Sequence, residues 1–469
     1  MILKRFYENR LAHASYLVGC AATGEAVVID PNRDFDQYLD AASAEGLRIT
    51  AVTETHIHAD FLSGSRELAQ LTGAKLYLSD EGDAEWKYAF GDNVQLVKDG
   101  DEFWIGNLKV EVMHTPGHTP EHISFLVTDT PAGSTVQSAF TGDFVFVGDV
   151  GRPDLLEKAA GYEGTMEAGA RRLYQTIQRF KTLPDHMLVW PAHGAGSACG
   201  KSLGGVPVST LGYEKATNWA FKMATEEDFV QEVLSGQPEP PVYFAQMKVR
   251  NKIGPAILGG ERVSQHLGDG RIGDIMGSGS PVIDLRPSAE FGAGFIPGTL
   301  NIPMGKSLTN WAGWLLPYDT PFYFIATSHE EAAEAAEALR MIGLDDAAGW
   351  FMPTVLDAWV AGGGSLGEIE QIDADECARR GGTCRVIDVR GLTEWEEGRM
   401  PFSERRYLGT LRKNLDGLSR EEPIVLHCAG GGRSAIAASV LAAEGFGKVA
   451  NVVGGFGEYA RRGHPTVSG

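Results

Sequence analysis

Histidines and carboxylates that could bind a metal ion cluster in the first 200 residues of this 469-residue chain. They follow short β-rich runs, in the segments His-Ile-His-Ala-Asp, Thr-Pro-Gly-His, Thr-Gly-Asp and Pro-Ala-His. The candidate donors are His56, His58, Asp60, His118, Asp143 and His193. The His-x-His pair alone is equally typical of one polar face of a strand, but four such turns in this order predict a metal site with imidazole and carboxylate ligands.

Cys428, near the other end of the chain, is the second candidate for chemistry. It ends an apolar run and precedes Ala-Gly-Gly-Gly-Arg433, so Gly430, Gly431 and Gly432 can turn backbone N–H groups toward the sulfur. Arg433 and the N-terminus of the helix that follows add positive potential, which favours a thiolate or a persulfide anion. The alternative is a buried structural cysteine.

Arg152, Lys201 and Cys199 lie in loops just after the turns of the predicted metal site. In a protein this acidic, the two cations are candidates for binding the carboxylates or phosphates of a thiol carrier, with solvated surface charges as the alternative. Cys199 is a candidate for holding a persulfide near the metal, or it is an inert small residue.

Composition excludes several classes of function. A formal net charge of −21 argues against nucleic acid as a partner, since phosphates would be repelled. No apolar run approaches the roughly 18 residues that span a bilayer, and the first segment does not resemble a signal peptide. Five cysteines, an odd number, argue against a disulfide framework. We therefore expect a cytoplasmic protein of several domains that contacts neither membrane nor nucleic acid.

Short strands and helices alternate around the candidate ligands, which places the ligands just past strand ends, where a sheet holds loop residues rigidly. The predicted strands are Tyr16–Gly19, Ala26–Ile29, Ile49–Thr53, Lys75–Leu78, Val110–Met113, Ser124–Val127, Ala139–Phe140 and Met187–Trp190. Helices are predicted over Ser65–Leu71 and Glu163–Phe180. The proline- and glycine-containing segment Gly236–Gly260 is interpreted as a linker or irregular crossover.

An internal repeat follows the predicted linker. Val282–Arg286 matches Val386–Arg390 at an offset of 104 residues, and each copy continues into a second β run and a helix. The pattern predicts two small α/β domains with parallel sheets. In the first copy Ala326 stands at the position of Cys428, and Glu331 at that of Arg433, so we expect this copy to carry no sulfur.

The metal motifs resemble the metallo-β-lactamase superfamily over residues 1–240. This resemblance implies a four-layer αββα sandwich with the metal at one edge of the sheets. Binuclear hydrolases of that superfamily, including glyoxalase II, use His-x-His-x-Asp-His, but here Phe61 replaces the last histidine. Because a benzyl group has no lone pair to donate, we expect the second metal site to be lost.

By motif, this part of the chain is most similar to the persulfide dioxygenases. That resemblance implies one Fe(II) per chain held by His56, His118 and Asp143, with open positions for a persulfide sulfur and O₂. Asp60 and His193 would orient ligands and water around the metal. His58 would either do the same or bind the metal directly.

Residues 367–469 resemble rhodanese domains through Val386–Arg390, the Cys428 loop and Gly454-Gly455-Phe456. The four residues between Cys428 and Arg433 form a tighter loop than the Cys-x₅-Arg loop of tyrosine phosphatases, which favours sulfur transfer over phosphate hydrolysis. The whole chain resembles persulfide dioxygenase–rhodanese fusions. The expected α/β domains are 1–245 for the dioxygenase, 260–365 for an inactive rhodanese-like domain and 367–469 for an active one.

The resemblance implies that a persulfide of glutathione, coenzyme A or a similar thiol is oxidised by O₂ to sulfite, coupled to thiosulfate chemistry at Cys428 in sulfide detoxification. The direction of sulfur transfer stays open. A homodimer or higher homo-oligomer is compatible with a dimerisation role for the middle domain. One alternative is a zinc-dependent thioester hydrolase of the glyoxalase II type with a rhodanese accessory domain, and another is a non-catalytic sulfur carrier or sensor.

Overall fold

The computed structural model describes residues 1–91, 93–158, 164–197, 199–201, 203–259 and 265–469. The chain divides into two compact units, one of Met1–Glu261 with Met341–Gly343 and one of Arg262–Arg340 with Leu344–Gly469. Glu163 and Gly260, which bound a predicted helix and the predicted linker, lie outside the described residues. Among the described residues, no helix is long and apolar enough to span a bilayer.

The first unit contains two six-stranded sheets. One sheet has the order β1-β2-β3-β4-β5-β6, with strands Ile2–Glu8, His13–Cys20, Glu25–Ile29, Arg48–Thr53, Lys75–Ser79 and Val94–Val97. The other has the order β12-β11-β10-β9-β8-β7, and its strands β7 to β12 are Glu102–Ile105, Leu108–His114, Ile123–Asp129, Ser138–Gly142, Leu188–Pro191 and Ser209–Thr210. All eight strands predicted for this region overlap strands of these sheets.

Eight helices accompany the two sheets in the described part of the first unit. Helices α1 to α8 are Asp36–Ala44, Ser65–Thr72, Leu155–Lys158, Thr165–Phe180, Leu211–Thr217, Trp219–Lys222, Glu226–Leu234 and Phe244–Ile253, and Ala84–Trp86 forms a short 3₁₀ helix. Both predicted helices are present, as α2 and α4.

Three apolar clusters create the layers of the first unit. Side chains such as Val27 and Phe125 fill the space between the two sheets. Tyr38 of α1 and Leu68 of α2 pack on the outer face of the first sheet. Helices α4 and α7 cover the second sheet with a further apolar cluster. The predicted αββα sandwich is therefore confirmed. The candidate ligands lie in loops that follow the ends of its strands.

The predicted linker or irregular crossover Gly236–Gly260 is wrong over Phe244–Ile253, because these 10 residues form helix α8. The prolines precede this helix and Gly254-Pro255 follows it, so the helix breakers bound a helix. Phe244, Met247 and Asn251 of α8 are buried. A domain that ends at residue 245 would include the first two residues of α8, which begins at Phe244.

The second unit contains two parallel sheets. A four-stranded sheet of order β14-β13-β15-β16 comprises, as β13 to β16, Val282–Asp284, Leu300–Asn301, Phe322–Ile325 and Ala347–Phe351. A five-stranded sheet of order β17-β21-β20-β18-β19 comprises, as β17 to β21, Glu370–Ile372, Arg385–Asp388, Ser403–Arg405, Ile424–His427 and Val449–Val452. Every strand pairing in them is parallel, as the internal repeat predicted.

Helical crossovers connect these parallel strands. Helices α9 to α17 are Ile272–Ser278, Ser288–Ala293, Leu308–Leu315, His329–Arg340, Val355–Ala361, Ala374–Arg380, Leu392–Glu397, Gly432–Ala443 and Gly455–Arg461. Short 3₁₀ helices cover Asp269–Arg271 and Leu408–Lys413. The helix predicted after the Cys428 loop is α16.

Candidate metal centre and cysteine loop

His56, His118 and Asp143 come together at one end of the two sheets of the first unit. All three are buried, and one ligand atom from each lies within 4.8 Å of the others. His118 Nε2 is 3.5 Å from Asp143 Oδ2. His56 follows β4, His118 lies between β8 and β9, and Asp143 directly follows β10. Three loops therefore deliver two imidazoles and one carboxylate to the same point.

Hydrogen bonds on the far side of each imidazole determine which ring nitrogen faces this point. His118 Nδ1 donates to the carbonyl of Arg152 at 3.0 Å. His56 Nδ1 lies 3.0 Å from Thr55 Oγ1, and that hydroxyl donates to Asp30 at 2.9 Å, so His56 is the donor to Thr55. Both Nε2 atoms are consequently left with a lone pair, as metal-binding histidines require.

Charge and burial also favour a cation at this point. Burial, followed by the charge of nearby His58, holds the pKa of His56 well below its ordinary value, and burial lowers the pKa of His118. Among the described residues, His56 Nε2 and both carboxylate oxygens of Asp143 are buried without a hydrogen-bond partner. Because unsatisfied buried polar atoms cost free energy, these neutral imidazoles and this carboxylate fit a bound metal ion.

His58 lies beside this group of three and contacts a different carboxylate. Its Nε2 is 3.1 Å from Asp30 Oδ1. Burial lowers the pKa of His58, but the charge of Asp30 and its hydrogen bond outweigh burial and raise it to about 9. His58 Nδ1 has no hydrogen-bond partner among the described residues. Both roles considered for His58, direct ligand and supporting residue, therefore stay predictions.

A second cluster adjoins the first. Ligand atoms of Asp60, His193 and Cys199 lie within 4.8 Å of one another, and all three residues are buried. His193 Nε2 is 3.2 Å from Asp60 and 3.3 Å from Asp143. Burial, then the carboxylates of Asp143 and Asp60, raises the pKa of Cys199 to about 12, so its thiol is neutral at physiological pH in the protein without metal.

Phe61 packs against two buried histidines. It is fully buried, and its ring centroid lies 4.0 Å from that of His13 and 4.4 Å from that of His58. His13, at the start of β2, is itself buried, and neither of its ring nitrogens has a partner among the described residues. His13 stands alone in the sequence, 43 residues before His56, and carries no motif that would indicate this position.

Cys428 lies directly after β20 and is buried, with 1% of its surface exposed. Its Sγ accepts a hydrogen bond from the N–H of Gly431 at 3.1 Å and lies 3.5 Å from the hydroxyl of Ser434. Gly431 has a φ of +96°, a conformation that favours glycine. The sulfur therefore lies in a cradle of donors at the N-terminus of α16.

Arg433 contacts a carboxylate and not the sulfur. Its guanidinium donates two hydrogen bonds to Glu394 of α15, each 2.6 Å long. Arg433 thus forms an ion pair with Glu394 beside the loop, and its predicted electrostatic support of Cys428 stays a prediction. Gly430 and Gly432 differ from Gly431, because a side chain at either would meet open space.

In the corresponding loop of the middle domain, the side chain of Glu331 takes up the hydrogen-bond donors. Ala326 is buried at the position of Cys428. Glu331 accepts hydrogen bonds from the N–H of Thr327 at 2.6 Å and from its hydroxyl at 2.7 Å. A carboxylate thus occupies donors that would otherwise be available to an anion.

Comparison with known proteins agrees with this architecture. The metallo-beta-lactamase superfamily model matches residues 9–193, and the rhodanese-like domain model matches residues 262–358 and 373–462. A crystal structure of a metallo-beta-lactamase from Staphylococcus aureus subsp. aureus COL is 44% identical, with a TM-score of 0.68, and the match covers 75% of this chain and 99% of that one. The chain belongs to the metallo-β-lactamase superfamily. It carries two rhodanese-like domains in tandem.

The relatives of this protein include an oxidising enzyme and a hydrolytic enzyme. The persulfide dioxygenase ETHE1 of Bos taurus is 29% identical over 48% of this chain and 78% of the relative. The hydroxyacylglutathione hydrolase of Rhodospirillum rubrum is 32% identical over 38% of this chain and 60% of the relative. The β-lactamase hydrolase-like protein of Agrobacterium fabrum is 29% identical, and the match spans 54% of its length. The chain is thus similar both to persulfide dioxygenases and to hydrolases.

Arg152 and Lys201, the two cations predicted to bind the thiol carrier, have partners within the protein. Arg152 is fully buried and donates to Asp154 at 2.8 Å and to the carbonyl of Pro238 at 2.9 Å. Lys201 Nζ donates to Glu232 at 2.7 Å. Arg152 instead contributes its backbone carbonyl to the orientation of His118, a role that its position in the sequence did not indicate.

Further residues that support the candidate metal centre carry no motif of their own. Glu121 Oε1 accepts the N–H of Ile57 at 2.8 Å, which ties the His118 loop to the His56 loop. His122 Nε2 accepts the N–H of Asp143 at 3.1 Å. Asn251 of α8 donates to the carbonyls of His58 and Phe61, each at 2.8 Å. Only the adjacency of Glu121 and His122 to the His118 turn could have indicated them.

Proposed function

We propose that the first unit oxidises a low-molecular-weight thiol persulfide with O₂, using one Fe(II) per chain held by His56, His118 and Asp143. The balanced reaction is RSSH + O₂ + H₂O → RSH + SO₃²⁻ + 2 H⁺. The observation that supports it most strongly is a buried set of two neutral imidazoles and one carboxylate, in which His56 Nε2 and both Asp143 oxygens lack hydrogen-bond partners among the described residues. This set is typical of non-haem Fe(II) oxygenases.

Iron held in this way would supply electrons to O₂ and open positions for the persulfide sulfur. The surrounding protein residues orient the two imidazole ligands and disfavour a second metal ion. Arg152 and Thr55 hold the two imidazoles in the required tautomer. Phe61, buried at the position of a second-site histidine, offers no donor to a second ion. Homology to persulfide dioxygenases supports the same proposal.

For Cys428 we propose sulfur transfer. In one direction, sulfite attacks the terminal sulfur of a Cys428 persulfide, an S–S bond forms in thiosulfate, and the S–S bond to Cys428 breaks with its electron pair left on Sγ. The N–H of Gly431 and the hydroxyl of Ser434 stabilise that anionic sulfur. The proposed division of labour gives oxidation to residues 1–245, a spacer or dimerisation role to 260–365 and transfer to 367–469.

Zinc-dependent thioester hydrolysis is the second candidate function. The second cluster of Asp60, His193 and Cys199, adjacent to Asp143, supports it, because a second ion there would make the centre binuclear. The hydroxyacylglutathione hydrolase relative supports it as well. The absence of a donor at Phe61 weighs against it.

Anaerobic purification followed by metal analysis and O₂-uptake assays tests the proposal. We expect about one iron per chain and O₂ uptake with glutathione persulfide that matches sulfite formation one to one. Two zinc ions per chain, with thioester hydrolysis that proceeds equally well without air, would overturn the dioxygenase proposal in favour of the hydrolase. A protein that binds persulfide sulfur without consuming O₂ would be a sulfur carrier.

A further inference from the structure

A cavity of about 230 Å³ lies in the first unit against the loop that carries His118. Gly117 and Pro120 line it from the loop that carries His118. Trp86 lines it from the 3₁₀ helix Ala84–Trp86, and this indole packs against Ile57, the residue between His56 and His58. The cavity thus borders the His118 loop directly, and it adjoins the His56 loop through Trp86.

Helix α4 forms a further wall of this cavity. Thr165, Ala168, Gly169 and Arg172 line it, and their spacing places all four on one face of the helix. A Cβ at Gly169 would lie 3.0 Å from the carbonyl of Gly117, so the small residue allows α4 to approach the His118 loop closely. Among the α4 residues that line the cavity, Arg172 is the one that carries a charge.

Arg172 differs from the other arginines of α4. Arg171 is paired with Glu167 and Glu226, and Arg179 is paired with Asp99. Within the described part of the chain, the exposed Arg172 guanidinium forms no hydrogen bond or ion pair. It is therefore available to a ligand carboxylate.

Two acidic residues line the cavity as well. Asp83 and Glu85 are exposed, and both contribute to the lining. Asp83 accepts the N–H of Glu85 at 2.9 Å, and Glu85 lies 3.7 Å from Lys252. One cation and two acids in the same cavity are complementary to a zwitterion, and they disfavour a ligand with several negative charges.

We propose that this cavity binds the amino-acid end of the thiol carrier, with an α-carboxylate on Arg172 and an α-ammonium group near Asp83 and Glu85. The inference rests on the proposed function for the identity of the ligand as a thiol. The volume is below the roughly 300–1,000 Å³ of sites for drug-sized ligands, so it accommodates one amino-acid moiety and not a whole coenzyme. γ-Glutamyl or cysteinyl thiols fit this description, and the multiply phosphorylated coenzyme A does not.

Isothermal titration calorimetry of the full-length protein with glutathione, the thiol product, tests the inference without turnover. We expect Arg172→Ala to weaken glutathione binding about fivefold or more, because a hydrogen-bonded charge pair is lost. Arg179→Ala is the matched control, since Arg179 lies on the same helix, is also exposed and does not line the cavity. We expect it to bind glutathione as the wild type does. Glu85→Gln should weaken binding of glutathione but not of 2-mercaptoethanol, which has no ammonium group.

Equal glutathione affinity in wild type and Arg172→Ala would overturn the inference, as would tighter binding of coenzyme A than of glutathione by the wild type. Failure of the proposed function gives a different result. If the protein consumes no O₂ with any persulfide but binds glutathione in an Arg172-dependent manner, the dioxygenase proposal fails and the cavity remains a binding site for a zwitterionic thiol.

Discussion

The two candidate sites satisfy their polar atoms in opposite ways. At the metal centre, His56 Nε2 and the Asp143 carboxylate are buried without partners among the described residues, and surrounding hydrogen bonds only orient them. At the cysteine loop, the chain itself supplies the donors to Cys428 Sγ, from Gly431 and Ser434. The first site leaves buried polar atoms without a protein partner, whereas the second is assembled by folding alone. Removal of metal should therefore separate the two activities.

His118→Ala should have the largest effect on the metal centre. Loss of one of three ligands should reduce bound iron more than tenfold and O₂ uptake about 10³-fold, while sulfur transfer at Cys428 stays within twofold of the wild type. Metal analysis, an oxygen electrode and a thiosulfate assay measure the three quantities. His114→Ala is the matched control, because His114 donates to the carbonyl of Pro120 and lies outside the ligand cluster. Retention of iron by His118→Ala would contradict the ligand assignment.

Cys428→Ala should give the reciprocal result. Sulfur transfer to or from thiosulfate should fall about 10³-fold because the nucleophile is lost, and O₂ uptake should remain largely intact. Cys384→Ala provides the control, since that half-buried thiol lies outside the loop. If Cys428→Ala abolished both activities, the two sites would not be independent and the comparison would fail.

Replacement of Glu121 tests the hydrogen bond that connects the His118 loop to the His56 loop. Glu121→Ala removes the acceptor for the Ile57 N–H and should weaken metal affinity about 10- to 100-fold, whereas Glu121→Gln retains an acceptor and should stay close to the wild type. Competition with a chelator of known affinity measures the difference. Equal metal affinity of the Ala and Gln variants would show that this hydrogen bond does not contribute to metal binding.

Glu121 also predicts a pH dependence of stability. Burial raises the pKa of this carboxyl from 4.5 to about 7, so the native state binds more protons than the unfolded state between these values. Its contribution to stability is present below pH 4.5 and is lost as pH rises through 7. The thermal midpoint of Glu121→Gln relative to wild type should therefore increase between pH 5 and pH 8. A difference that is constant with pH would contradict the raised pKa.

Glu394→Gln should produce the smallest change, at the cysteine loop. Loss of the carboxylate charge leaves the positive charge of Arg433 uncompensated beside the loop, so KM for thiosulfate, a dianion, should fall about two- to fivefold. Steady-state kinetics with a cyanide acceptor measure it, with Glu396→Gln on the same helix as control. An increase in KM would show that the pair positions Arg433 for binding.

The sequence predicted much of this arrangement because the relevant information is local. Each metal-ligand turn follows a strand, and the Cys428 loop is a contiguous strand, glycine run and helix. The types of donor atom and the missing donor at Phe61 are properties of single residues. The internal repeat also predicted the parallel sheets of the second unit, since parallel strands require crossovers.

Tertiary structure alone decided the partners of charged and polar groups. Arg152 and Lys201 are cations in any conformation, but their partners depend on the fold. Folding places Asp154 and the carbonyl of Pro238 against Arg152, and Glu232 against Lys201. Asn251 reaches the His58 loop from a helix 193 residues later, in a segment whose prolines had predicted a linker. Burial and packing bring together residues that are remote in the chain, so hydrogen-bond partners and the electrostatic environment of each group depend on the whole fold, whereas the type of each donor atom is already present in the sequence.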